Sequence, residues 1–193
     1  MDTKIIPRIK PTHWDEAASL CASTIDINYK AAADAHPSFA PETPDGGWLA
    51  LLREEFDWLE TNWYSRDQAD LGSEGDLSEV WWISLAATTM RTASDHFVWE
   101  EGALTAHSVL PLLRSKQEDY GYENINRFGR VGLIVRIHDK IARIENLVEK
   151  GSLPINESLK DSFVDLVGYC IIALMVEHDI WNLPLRPQDS VIA

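Results

Sequence analysis

The chain has 193 residues, 45% hydrophobic and 25% charged, enough to bury a full core and to exclude long disorder outside the ends and the stretch 37–47. Its formal charge of −14 excludes a general nucleic-acid surface, because affinity for a polyanion comes mainly from neutralising phosphates. No apolar run reaches the roughly 20 residues of a membrane span, and MDTKIIPRIKP lacks the apolar stretch of a signal peptide, so a cytoplasmic protein without a membrane partner is expected.

Helical periodicity dominates and strand-like alternation is almost absent, which predicts an all-α bundle of about six helices. The first spans about Thr12 to Asp34, with Thr12 as N-cap and Asp15 and Glu16 in its first turn. The loop HPSFAPETPDGG breaks it. The second, about Trp48 to Asn62, and the third, about Leu77 to Phe97, form a hairpin joined by SRDQADLGSEGD. The adjacent Trp81 and Trp82 point different ways from one helix, which leaves one ring for a partner, while Trp48, Trp58 and Trp63 suit the core.

The fourth helix, about Glu101 to Glu118, contains Pro111, which should kink or split it. A loop, DYGYENIN, follows. The fifth, about Phe128 to Glu149, carries an apolar stripe through Ile134, Ile137, Ile141, Ile144 and Val148 and ends at Gly151. The sixth, about Glu157 to Ile180, takes Asn156 as N-cap and buries Leu159, Phe163, Leu166, Cys170 and Leu174. The short link KGSLPIN makes the last two helices antiparallel neighbours. Residues 1–100 and 101–193 read as two helical regions of one unit, in which Cys21 and Cys170 are reduced core thiols. Two-fold association is the expected oligomer type.

Charge is unevenly spread. Residues 1–99 carry 7 Lys/Arg against 17 Asp/Glu, whereas residues 114–143 carry 7 against 4. A confined positive patch in a negative molecule suits a small anionic ligand. Within it, KQEDYGYENINRFGR offers Tyr120, Tyr122 and Phe128 to stack on a ring, Asn124 and Asn126 to bond its edge, and Lys116, Arg127 and Arg130 to meet phosphate. An ordinary polar connection anchored by its aromatics is the plainer reading of the same loop.

On the sixth helix Glu157, Asp161 and Asp165 stand at i, i+4 and i+8, in one row. The first two suit the dipole of a helix start. Asp165, inside FVDLV, needs either a cation from a neighbouring helix or a divalent metal with oxygen ligands. The fifth helix offers a basic row, Arg136, Lys140 and Arg143, with Asp139 beside it.

The blocks KQEDYGYENINRFG, RIHDKIARIENL and ESLKDSFVDLVGYCIIAL resemble the nucleotide modification associated domain family, found widely in phages and related to the all-α nucleotide pyrophosphatases of the MazG and dimeric dUTPase group. The resemblance covers roughly residues 110–180. It implies a phage-type helical bundle around a Mg-dependent site for a nucleoside phosphate. Lys116, Asp119, Tyr120 and Gly121 match its first block, Arg136, Asp139, Lys140 and Arg143 its second, and Glu157, Asp161, Asp165 and Tyr169 its third. Under that reading Asp139, Glu157, Asp161 and Asp165 are the metal ligands, Asp139, Asp161 and Asp165 are catalytic, and Lys116, Lys140 and Arg143 hold phosphate. MazG-like hydrolases pair E-x-x-E with E-x-x-D, whereas here Ser162 precedes Asp165 by three. The hairpin segments LREEFDWLE and DLSEVWWISLAATTM resemble a MazG-like pair more weakly, with Glu54, Glu55 and Glu79 as its acids.

Three functions follow. The first is a Mg-dependent nucleotide pyrophosphohydrolase, in which Mg clamps phosphate and generates hydroxide. The second keeps nucleotide binding, modification or sequestration and drops hydrolysis, as the missing E-x-x-E pattern favours. The third is a helical interaction protein.

Overall fold

The computed structural model describes residues 10–35, 47–64, 75–97, 103–150 and 158–187. They form seven α-helices and no strand: α1 (Trp14–Ala35), α2 (Gly47–Tyr64), α3 (Gly75–His96), α4 (Ala106–Tyr120), α5 (Glu123–Asn126), α6 (Gly129–Lys150) and α7 (Leu159–Glu177). The all-α bundle read from periodicity is the observed architecture. The addition is α5, one turn inside the segment that the sequence reads as a loop.

The apolar content of α7 decides the arrangement. Phe163, Leu166, Val167, Cys170, Ile171, Leu174 and Met175 fill one face of this helix, Ser162, Gly168, Ile172 and Ala173 extend the covering around most of it, and all of them are buried. A helix apolar all round belongs in a core, and α7 packs against α1, α3, α4 and α6. The surrounding helices present single stripes to it. On α6 the stripe is Ile134, Ile137, Ile141 and Ile144, each buried; a fully buried aliphatic side chain of this size contributes about 1.5–3 kcal/mol.

Side-chain pairs fix the directions. Arg130 meets Glu177, Lys140 meets Asp165 and Arg143 meets Ser162, so numbers rise along α6 as they fall along α7. The two helices are antiparallel neighbours. The hairpin of α2 and α3 shows the same opposition, since Ser84 donates to Glu55 and Trp81 packs edge-on against Trp58.

Several local expectations change. α7 starts from Ser158, whose hydroxyl accepts from the Asp161 N–H while the Asp161 carboxylate accepts from the Ser158 N–H; Asn156, Glu157 and Gly151 lie outside the described residues. At the start of α1, Thr12 donates through both its N–H and its hydroxyl to Glu16, and the helix begins two residues later. Pro111 does not split α4. It removes one hydrogen bond, to the carbonyl of His107 in the first turn, and the helix continues to Tyr120.

Trp81 and Trp82 are both buried, so neither ring is left facing outward. Trp58, expected inside, is instead half exposed and covers Trp81 at 4.6 Å between ring centroids. The side chains of Trp48 and Trp63 are outside the description. Cys21 and Cys170 are free and buried. Burial, with the nearby charge of Glu79, pushes the Cys21 thiol up to about 12, and burial also raises that of Cys170. Among the described residues no helix is long and apolar enough to cross a membrane.

Candidate functional site

α4 is set in place at its N-terminus. Thr105 and Ser108 form a reciprocal cap, and Asp26 on α1 accepts from the N–H groups of Ala106 and His107. From that anchor Val109, Leu113, Lys116, Gln117 and Tyr120 fall on one face, at helical spacing. Asp165, Gly168, Tyr169 and Ile172 do the same on α7. The two faces enclose a cavity of about 340 Å³, closed by Asn124 and Ile125 of α5, Arg136 of α6 and Trp181 beyond α7.

The turn that brings α5 to this cavity depends on Gly121, with φ +65° and ψ −167° at the end of α4. This region is open to glycine and nearly closed to other residues. The chain after α7 then holds α5 from outside: the Tyr122 hydroxyl donates to the carbonyl of Leu183 at 2.7 Å, and Asn126 donates to the side chain of Asn182 at 2.8 Å. Trp181 packs edge-on between Trp14 and Tyr122, 6.0 Å from each by ring centroids. The Arg136 guanidinium donates to the Asn124 carbonyl at 3.3 Å, tying α6 to the same turn.

The charged end of the cavity centres on Asp165. Lys116 of α4 reaches Oδ1 at 2.5 Å and Lys140 of α6 reaches Oδ2 at 2.7 Å. Burial alone pushes this carboxyl up, but the hydrogen bonds and charges of the two lysines outweigh it and hold the group below the usual carboxylate range. Asp165 is therefore ionised at neutral pH. Of the two stabilising partners that the sequence leaves open for it, cations from neighbouring helices are present.

The polar end differs. Gln117 is 4% exposed, and its Nε2 has no hydrogen-bond partner among the described residues; neither has the buried Oδ1 of Asn124. One is a donor and the other an acceptor, and both belong to residues lining the cavity. A buried polar atom left unpaired costs about 1–3 kcal/mol. A ligand edge presenting an acceptor and a donor would remove both penalties.

The remaining residues singled out from the sequence are dispersed. Tyr120 stands exposed at the rim of the cavity, and Asp119, the next residue before it, is exposed outside the lining. Arg143 donates to the Ser158 carbonyl and to the Ser162 hydroxyl. Arg130 pairs with Glu177 at 2.6 Å, and Arg127 lies against the Phe128 ring. Asp139 is exposed on α6, Asp161 serves the cap of α7, and Glu157 is outside the described residues. On the hairpin Glu54 is exposed, Glu55 accepts from Ser84, and Glu79 is buried against His178. Among the described residues no three of His, Cys, Asp and Glu converge as a group able to hold a metal ion.

Gln117, Gly168 and Trp181 carry the site without standing out in the sequence. The helical register of α4 places Gln117 one residue from Lys116 and four from Leu113, a signal that it faces inward; nothing local marks Trp181, whose place depends on the chain turning back after α7. No curated protein and no solved structure matches the chain significantly. Residues 116–176 match the family model described as nucleotide modification associated domain 1, and that segment contains Lys116, Gln117, Tyr120, Asn124, Arg136, Asp165 and Tyr169, all of the polar and charged lining of the cavity apart from Trp181.

Proposed function

We propose that this chain binds a nucleotide in the cavity between α4, α5, α6 and α7. The base enters toward Gln117 and Asn124 and the phosphate meets Lys116 and Arg136. One observation carries this reading: Gln117 and Asn124, each with a buried amide atom that has no hydrogen-bond partner among the described residues, line the same cavity as two cations. Apolar walls with a few polar groups that fix orientation are what a small-ligand pocket requires, and the match to a nucleotide modification associated domain supports a nucleotide as that ligand.

The resemblance to MazG-type pyrophosphohydrolases adds a finer reading, cleavage of a nucleoside phosphate with Mg. The donor set gives it little support. Both oxygens of Asp165 are taken by lysines, Asp161 is taken by the α7 cap, and Asp139 is exposed on α6. The described carboxylates do not fit a resident Mg ion, and the reading that the cavity supports is nucleotide binding.

Calorimetric titration with nucleoside and deoxynucleoside 5′-mono-, di- and triphosphates, with and without Mg, tests this, with phosphate and pyrophosphate release followed in parallel. Saturable binding that persists without Mg, and no release, is expected. Failure of every nucleotide to bind would overturn the proposal, and pyrophosphate release would restore the hydrolase.

A further inference from the structure

The two lysines on Asp165 are not equivalent. Lys116 reaches Oδ1 at 2.5 Å from α4, lines the cavity, and has 41% of its side chain exposed. Lys140 reaches Oδ2 at 2.7 Å from α6, stands outside the cavity lining, and has 18% exposed. The carboxylate they share is itself 10% exposed. Stripping a buried carboxylate of its partner is strongly unfavourable. Here each oxygen has a partner of its own, so departure of Lys116 leaves Asp165 paired with Lys140.

Leu112 and Tyr120, one turn to either side of Lys116 on the same face of α4, are both exposed and both line the cavity, which puts Lys116 at its mouth. A lysine ammonium is a point charge on a flexible four-carbon stem. With a phosphate at the mouth, this one stands between two anions. A phosphate monoester carries about −1.5 to −2 at pH 7 and three acceptor oxygens, against the single charge of a carboxylate.

We infer that Lys116 changes partner on binding: the ligand phosphate takes its ammonium from Asp165, and Asp165 stays with Lys140. Asp165 is a positioning residue that competes with the ligand for Lys116, and its carboxylate lowers the affinity of the site for phosphate. This inference rests on the nucleotide-binding reading above.

The test compares dissociation constants for the nucleotide that binds best, in EDTA, in wild type, Asp165→Asn, Lys116→Met and the double variant. Asp165→Asn should bind about tenfold more tightly than wild type, a coupling of the size found between groups in contact. In the Lys116→Met background the same substitution should change affinity by less than about twofold. A residue that only supports the fold would weaken binding when replaced, and one that only adds negative field would give the gain in both backgrounds. A measurement on the wild-type aspartate covers the case in which Asp165→Asn does not fold. With the lysines methylated with carbon-13, saturating nucleotide should shift the Lys116 resonance further than that of Lys140, each identified by its loss in Lys116→Met or Lys140→Arg. Equal or weaker binding by folded Asp165→Asn, a gain that survives in Lys116→Met, or a Lys116 resonance that moves no further than that of Lys140 overturns the inference and leaves nucleotide binding standing. Binding of no nucleotide by any of the four proteins overturns both.

Discussion

Lys116 Nζ lies 2.5 Å from Asp165 Oδ1, although 49 residues separate them in the chain. The pair joins α4 to α7 at the cavity, and Lys140 completes it from α6. Three helices thus share one carboxylate, and the ionisation of that carboxylate is coupled to how they pack.

Acid should weaken the fold through this group. The folded-state pKa of Asp165 is depressed below the unfolded value near 3.8, so its contribution is fully present above that value and is lost as pH falls through the folded pKa. Urea unfolding between pH 6 and pH 2 for wild type and Asp165→Asn checks this. The stability gap between the two should stay constant above about pH 5 and close below pH 3.8. A gap that does not change over this range would show that the two lysines do not govern the group.

Gly121→Ala should cost about 1–3 kcal/mol, because the φ of +65° and ψ of −167° lie where only glycine is unstrained. No Cβ clash contributes, since an added Cβ at Gly121 meets nothing within 4 Å. The cost is conformational. Denaturant unfolding measures it, and a loss under a few tenths of a kcal/mol would mean that the turn relaxes into another conformation.

Asp161→Asn should cost about 1 kcal/mol by weakening the reciprocal cap of α7. The same loss should appear with and without millimolar Mg, because the described partners of the carboxylate are the N–H and hydroxyl of Ser158. A Mg-dependent change in melting temperature that disappears in this variant would return Asp161 to a metal site.

The legible part of this protein is what repeats along one helix. Ile134, Ile137, Ile141 and Ile144 recur at spacings of three and four and are all buried, and the apolar surroundings of Asp165 predict that it needs a partner. Which partner is a tertiary matter. Arg143, one of the three cations in the basic row that the sequence offers for it, instead donates to Ser162, one turn earlier on α7, and to the N-cap Ser158, while Lys116 arrives from a helix 49 residues upstream. The cavity is less legible still. Its polar end depends on the Gly121 turn, and its wall depends on the chain folding back after α7 to place Trp181 against Tyr122. Neither event leaves a periodic trace.

Gln117→Met separates a structural role from a binding role in one variant. Methionine has nearly the same length and fills the same space without a polar end. If the buried Nε2 is unpaired in the ligand-free protein, removing it should stabilise the fold by about 1–3 kcal/mol, since an unsatisfied buried donor is lost rather than a hydrogen bond. If the same atom reads the base edge, nucleotide affinity should fall at least tenfold, on the order of 1.4 kcal/mol or more, as expected for one hydrogen bond in a desolvated site. The two effects have opposite signs, which a general packing defect cannot produce. Thermal unfolding and a nucleotide titration on the same preparation give both numbers. A variant that is less stable would mean that Gln117 is satisfied before any ligand arrives, and a more stable variant with unchanged affinity would place the base elsewhere in the cavity.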